Sequence, residues 1–267
     1  MEGSESAIVS MAKAILFWAI FQGLFFTGGF SFLFPMLPSW GVGLVMGSVI
    51  TVSILLLTVV FLKFDVLTMK DLGMAVKGSS FVRFVIALLA GCIVFTGFYM
   101  LYSMLTPVVF APFEDARVLQ LLVLNSLLFI VLGIMEEVAF RGYLLKKLEA
   151  AIGVRGAIYI TSILFGLYHG LSIESLAGPA IWGLFYGVLT YWTKGLAIPI
   201  GFHVGLNLVQ GLCSEKTKWV DGIWAFELVQ TSSLLTIEQL TLLLQGMLLV
   251  SGVVLVEYYL RMVRNQG

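Results

Sequence analysis

Eight almost uninterrupted apolar runs, lying roughly at 13–34, 41–62, 82–106, 117–139, 157–173, 178–193, 197–213 and 239–260, constrain this chain more than anything else in it. A helix needs about 20 apolar residues to cross the ~30 Å hydrocarbon core of a bilayer, and most of the runs come close to that length. Hydrophobic residues make up 60% of the chain and charged residues 11%, with a mean hydropathy of +1.05. A water-soluble domain could not hide that much apolar surface. The runs are continuous rather than alternating, which excludes a membrane barrel and predicts helices that satisfy their own backbone hydrogen bonds. The expected fold class is all-α, a polytopic membrane helical bundle of about eight transmembrane helices, with 1–267 forming a single transmembrane domain.

Charge placement predicts the orientation. With the N-terminus inside, the cytoplasmic ends would hold Lys13, Lys63, Lys70, Lys77, Arg83, Arg141, Lys146, Lys147, Arg155, Lys194, Arg261 and Arg264, leaving only Arg117, Lys216 and Lys218 outside. This positive-inside split fits an even number of spans and two cytoplasmic termini. The opposite side is acidic, with Glu114, Asp115, Glu174, Glu215, Asp221, Glu227 and Glu238. The net charge of zero therefore conceals a vertical asymmetry and gives no support to a nucleic-acid partner.

The first residues carry Glu2 and Glu5 and lack a basic n-region, so a removed signal peptide is not expected. Cys92 and Cys213 sit in apolar segments without CxxC or metal spacing, which points to packing. Between Lys63 and Arg83, basic, acidic and apolar residues alternate, compatible with a short interfacial helix or a solvated loop. The stretch from Ser214 to Thr236 carries Trp219, Trp224 and Phe226, residue types that favour headgroup level. Gly43 with Gly47, and Gly183 with Gly187, make small-xxx-small pairs suited to close helix packing.

Against this background the ionisable residues inside apolar segments need a purpose, because a charge at the bilayer centre costs roughly 2.5–3.5 kcal/mol on insertion scales. They fall in three motifs. Glu136-Glu137-Val138-Ala139-Phe140-Arg141 closes the fourth run. On a helix Glu137 and Arg141 share a face, while Glu136 points about 100° away. Glu137 can thus be neutralised by Arg141, leaving Glu136 free to act as a general base. The alternative is a cap in which both acids pair with Arg141, Lys146 and Lys147. Adjacent glutamates on one helix are not expected to converge as a glycosidase pair does.

Phe165-Gly166-Leu167-Tyr168-His169 lies in the fifth run. If the chain reverses near Gly153, Glu137 and His169 each stand 16 residues from the turn, about 24 Å at helical rise, and share one depth. His203-Val204-Gly205-Leu206-Asn207 opens the seventh run and puts His203 and Asn207 on one face, where they could stabilise an oxyanion or simply bond neighbouring helices. Gly201 and Gly205 would let a neighbouring helix or a peptide backbone come close.

Together the three blocks resemble the EExxxR, FxxxH and HxxxN/D motifs of the CAAX prenyl protease and bacteriocin-processing (CPBP, Abi) family. The matched, motif-bearing core runs from about 117 to 213. The resemblance implies an eight-helix intramembrane endopeptidase with a cavity open to the cytoplasm. It implies Glu136 as the base that activates water, assisted by His169, and His203 with Asn207 as the oxyanion hole. Glu137 and Arg141 would be supporting residues that fix the helix end.

The family has been described as metal-dependent and as glutamate-dependent. Zinc could take Glu136, His169 and His203 as ligands with a water, but no obvious base except Glu137 would remain. The metal-free version uses every motif residue and is favoured. No HExxH or GxSxG motif and no aspartate in the apolar runs supports other protease chemistry. The rival from another class is a membrane transport or scaffold protein that uses the polar cluster for binding. Expected partners are a peptide or lipidated protein substrate and membrane lipid, and the short loops suit a prokaryotic cell-membrane protein.

Overall fold

The computed structural model describes residues 5–27, 39–74, 77–112, 118–213, 222–228 and 234–265. Its helices are α1 (Ala7–Thr27), α2 (Ser39–Phe64), α3 (Gly78–Leu105), α4 (Val118–Glu137), α5 (Leu145–His169), α6 (Ile173–Thr193), α7 (Ala197–Leu212) and α8 (Ile237–Arg264). A π-helical segment, Val138–Leu144, runs on from α4 into α5 without a break. Five stretches are long and apolar enough to cross a membrane by length and composition: Ala7–Phe26, Gly41–Phe64, Gly78–Leu105, Val118–His169 and Ile237–Arg264. The helical bundle is as expected, whereas about eight full spans is met only in part: α7, with 16 residues, falls short of a bilayer's thickness.

The 52-residue stretch Val118–His169 is not one straight rod. Gly153 has φ +76°, a left-handed conformation that glycine reaches without steric cost, and it reverses the chain there. The two arms come back together as the sequence predicts, for Tyr168 on the second contacts Glu136 on the first.

All-α needs one amendment. Val108–Pro112 (β1) and Trp224–Leu228 (β2) form a two-stranded antiparallel ribbon, with Val108 paired to Leu228 and Pro112 to Trp224. Neither segment stands out by periodicity, and their pairing is a long-range event that local sequence does not announce. Glu2, Glu114, Asp115, Arg117, Glu215, Lys216, Lys218, Trp219 and Asp221 lie outside the described residues.

The stretch between Lys63 and Arg83 contains a short 3-10 turn, Met69–Leu72. Asp71 accepts from the Thr68 backbone N–H (2.7 Å), and Leu72 is buried. Gly73 closes the turn at φ +80°, where its carbonyl accepts from Leu196 N–H at the start of α7 (3.4 Å). The loop is thus fastened to the bundle beside Gly142, at the base of the π segment.

Packing explains the glycines. A Cβ at Gly201 or Gly205 would lie 2.2 Å from the carbonyl oxygen of Phe84 or Leu88, and one at Gly91 would lie 2.3 Å from that of Phe202. Backbone-to-backbone approach of α3 and α7 therefore depends on their lacking side chains. Gly47 sits against Leu128, Gly183 against Ser162 and Gly187 against Ile158, in keeping with the small-residue pairs of the sequence. Between α1, α2 and the π segment, Phe17, Phe61 and Tyr143 form one ring cluster and Phe21, Phe140 and Tyr168 another.

Candidate active site

The centre of the bundle buries charge. Glu136, Glu137, Arg141 and His203 are all at most 5% exposed. Such groups are costly to take out of water unless they compensate one another; here they stand at ion-pair distance, while Glu136 Oε2, Glu137 Oε2 and the Arg141 nitrogens make no hydrogen bond. Arg141 Nη1 lies 3.4 Å from Glu137 Oε1, one helical turn away, at ion-pair distance without hydrogen-bond geometry. Its guanidinium lies over the rings of Phe165 (4.2 Å) and Tyr186 (5.0 Å), so π faces supply much of its remaining stabilisation. Gly183 leaves room for it: a Cβ there would come 3.1 Å from Arg141 Nη2.

His203 is the hub. Its Nδ1–H donates to Glu137 Oε1 (2.8 Å), and its Nε2 lies 3.3 Å from Glu136 Oε2. Tyr186 stacks on the imidazole at 4.7 Å and 17°, and Phe165 meets it edge-on at 5.7 Å. On the far side of Glu136, the Tyr168 hydroxyl donates to Oε1 (3.3 Å). The adjacent glutamates leave the helix about 100° apart, and the two nitrogens of one imidazole face one carboxylate each. Glu137 has a further partner beyond Arg141, so its role extends from fixing a helix end to fixing a histidine.

The π segment begins at Val138, directly after the two glutamates, and all seven of its residues are buried. Such segments recur at functional sites.

His169 and Asn207 approach from a different direction. His169 is the last residue of α5, and its Nδ1–H donates to the carbonyl of Phe165 (2.8 Å), which leaves Nε2 as an acceptor. With His203 and Asn207 it lines a cavity of about 730 Å³. The expected pairing of His169 with Glu136 is not among the contacts formed, because Tyr168 occupies one oxygen of Glu136 and His203 faces the other. The cavity extends past Tyr99, Tyr102 and Val108 toward the start of α8. That is the end of the bundle away from the basic residues, whereas the resemblance implies an opening on the basic side.

Residues 118–209 match the family described as Rce1-like, type II CAAX prenyl endopeptidase Rce1-like. Over this stretch the chain is similar to CAAX prenyl endopeptidases. The match begins at α4 and ends within α7, so it takes in all three motifs and leaves α1 to α3 and α8 outside. Its long apolar helices make the chain an integral membrane protein. No curated protein and no solved structure matches the chain.

A zinc ion would need Glu136, His169 and His203 to turn donor atoms on one point. His203 gives Nδ1 to Glu137 and turns Nε2 toward Glu136, and His169 gives Nδ1 to a backbone carbonyl, an orientation that metal-ligating histidines share. Among the described residues no three His, Cys, Asp or Glu side chains are grouped as a metal site. Sequence reasoning missed Tyr168 and Tyr186. Tyr168 stands inside the second motif, but nothing local tells that its hydroxyl meets Glu136, and Tyr186 comes from a helix without a motif.

Proposed function

We propose that this protein is an intramembrane endopeptidase that hydrolyses a peptide bond of a membrane-associated or lipidated peptide without a resident metal. The observation that carries the reading is the Glu136–His203 contact of 3.3 Å beside a cavity that His169, His203 and Asn207 line together.

The substrate carbonyl enters the cavity near His203 and Asn207. Glu136 takes a proton from a water molecule whose other hydrogen is directed to His169 Nε2, and the oxygen attacks the carbonyl carbon. The resulting oxyanion accepts hydrogen bonds from the Asn207 side-chain amide and from His203 Nε2–H, which Glu136 no longer attracts once it has taken the proton. When the tetrahedral carbon collapses and its C–N bond breaks, Glu136 returns the proton to the leaving amine. Glu137 and Arg141 act through His203, holding the ring that faces the oxyanion. The relatives' chemistry in the wider CPBP group and a prokaryotic membrane with cytoplasmic termini belong to the same reading, supported by the motif set and by the basic residues at one end.

The test is turnover by purified protein. Glu136→Gln is expected to lower peptide cleavage by about 10²–10⁴ while leaving a folded, membrane-inserted protein, the usual weight of a general base. The unaltered protein should keep its turnover after tightly bound metal is stripped. Near-normal cleavage by Glu136→Gln would remove the central assignment. Reversible inactivation by a chelator, with about one zinc per chain, would replace it with a metal mechanism.

A further inference from the structure

A second groove, of about 450 Å³, opens on the outside of the bundle and is separate from the cavity that His203 lines. Arg83, Ile86 and Ala90 of α3 form one side of it and Phe185 and Trp192 of α6 the other. Phe202 of α7 divides it from the cavity: Trp182 and Tyr186, which line the cavity, have their ring centres 6.0 and 6.4 Å from its own. None of the motif residues lines this groove. Among its described lining residues Arg83 is the only charged one, and the rest are aliphatic or aromatic.

The groove has a defined depth. α3 begins at Gly78 and α6 ends at Thr193, both at the basic end of the bundle, with Lys77 and Lys194 flanking them. Trp192, 47% exposed, therefore stands at headgroup level, where tryptophan is favoured. Arg83 is five residues into α3, about 8 Å, within reach of the same level for a long side chain that snorkels. From Arg83 to Ala90, and from Trp192 back to Phe185, the chain advances seven residues, about 10 Å toward the bilayer centre. A cation thus sits at the mouth of an apolar slot that runs into the hydrocarbon.

From this we infer that the groove binds a membrane phospholipid with an anionic headgroup, its phosphate paired with the Arg83 guanidinium and one acyl chain lying along Ile86, Ala90 and Phe185. Charge complementarity selects this occupant. Arg83 is exposed and forms no ion pair with a described residue, and a guanidinium matches a phosphate through two parallel hydrogen bonds. Basic pockets between membrane helices hold anionic headgroups in the same way. The isoprenoid of a prenylated peptide joins a neutral thioether sulfur and would leave Arg83 unpaired. The bound lipid would also lie along the seam that carries His203. Arg83 adjoins Phe84 and Phe202 adjoins Gly201, and a Cβ at Gly201 would lie 2.2 Å from the Phe84 carbonyl oxygen.

The experiment reads binding and needs no turnover. The full chain is reconstituted in nanodiscs of equal parts phosphatidylglycerol and phosphatidylcholine, and native mass spectrometry counts the lipids that stay bound on release. Phosphatidylglycerol should be retained about fivefold over phosphatidylcholine, the weight of one basic side chain near a membrane surface. Arg83→Gln should remove most of that preference and Arg83→Lys should keep most of it. Ala90 is exposed, so Ala90→Trp fills the groove rather than the core and should lower phosphatidylglycerol retention with Arg83 in place. Lys77→Gln removes a basic residue at the same end but outside the groove and should leave the ratio unchanged. In detergent, added phosphatidylglycerol should raise the thermal midpoint of the unaltered protein more than that of Arg83→Gln. Equal retention of the two lipids, or a preference that survives Arg83→Gln, would overturn the site. A preference lost equally in Lys77→Gln would replace it with diffuse attraction by the basic end, and retention indifferent to Ala90→Trp would remove the acyl slot. Displacement of phosphatidylglycerol by a farnesylated peptide amide would give the groove to the substrate's lipid instead.

Discussion

At the scale of residues, one carboxylate oxygen serves two partners. Glu137 Oε1 lies 3.4 Å from Arg141 Nη1 and 2.8 Å from His203 Nδ1, and both Glu137 and Arg141 have fully buried side chains. Removing one member of such a set leaves an uncompensated charge in the interior, which costs about 3–5 kcal/mol. Arg141→Ala and Glu137→Gln should therefore each lower thermal stability strongly, with the double variant losing less than the sum of the two. Unfolding of the four forms in detergent measures this, and additive losses would mean that the side chains do not interact. Because Glu137 also fixes the His203 ring, Glu137→Gln should reduce kcat by more than its stability loss explains.

At the scale of elements, the site depends on how closely helices approach. His203 sits between Gly201 and Gly205, and both glycines abut backbone carbonyls of α3. A methyl group at position 205 would come 2.2 Å from Leu88 O, where the obstructing atom is backbone and cannot rotate away. Gly205→Ala is expected to push α3 and α7 apart and to lower stability by about 1–3 kcal/mol, the cost of overpacking. The same displacement should move His203 from the glutamates and depress turnover. In contrast, Gly97→Ala on α3 would meet nothing within 4 Å and should be neutral, which makes it the control. Thermal midpoints of the two variants decide the matter, and equal values would refute the close-approach account.

At the scale of the whole molecule, a second ionic cluster ties helix ends together at one end of the bundle. Asp65, just beyond α2, bonds Lys13 of α1, Lys147 of α5 (3.0 Å) and the Tyr143 hydroxyl (2.9 Å), and Glu5 reaches Lys13 (2.7 Å) and Lys147. The cluster brings the N-terminal segment against the helix that continues from the glutamates. Burial pushes the Asp65 carboxyl up, but the two ammonium groups and the phenol outweigh it and hold the carboxyl below its ordinary 3.8. Glu5 likewise feels burial most, yet Lys13 and Lys147 keep it below 4.5. A carboxyl depressed on folding stabilises the native state above its unfolded value and stops doing so as pH falls through its folded value. The contribution of these two carboxyls should therefore be constant above about pH 5 and fall on acidification below the two ordinary values. Asp65→Asn should flatten that acid limb; an unchanged limb in Asp65→Asn would show that other groups produce it.

Much of this protein is determined by its sequence alone, for reasons of range. Hydropathy over some 20 residues fixes that helices form in a membrane, since no other structure leaves the backbone satisfied there. Spacing of four fixes that Glu137 meets Arg141 and that His203 and Asn207 share a face, because a helix repeats on that scale. Gly153 marks the reversal that returns α5 to the level of the glutamates. What only the tertiary structure decided involves atoms from different helices. It chose His203, rather than His169, as the partner of Glu136, and it let one imidazole bridge two carboxylates that diverge along their own helix. It also supplied Tyr168 and Tyr186 and paired the two strands of the ribbon. These contacts depend on helix rotation and approach, which the glycine faces and packed rings set over distances along the chain that local pattern does not reach.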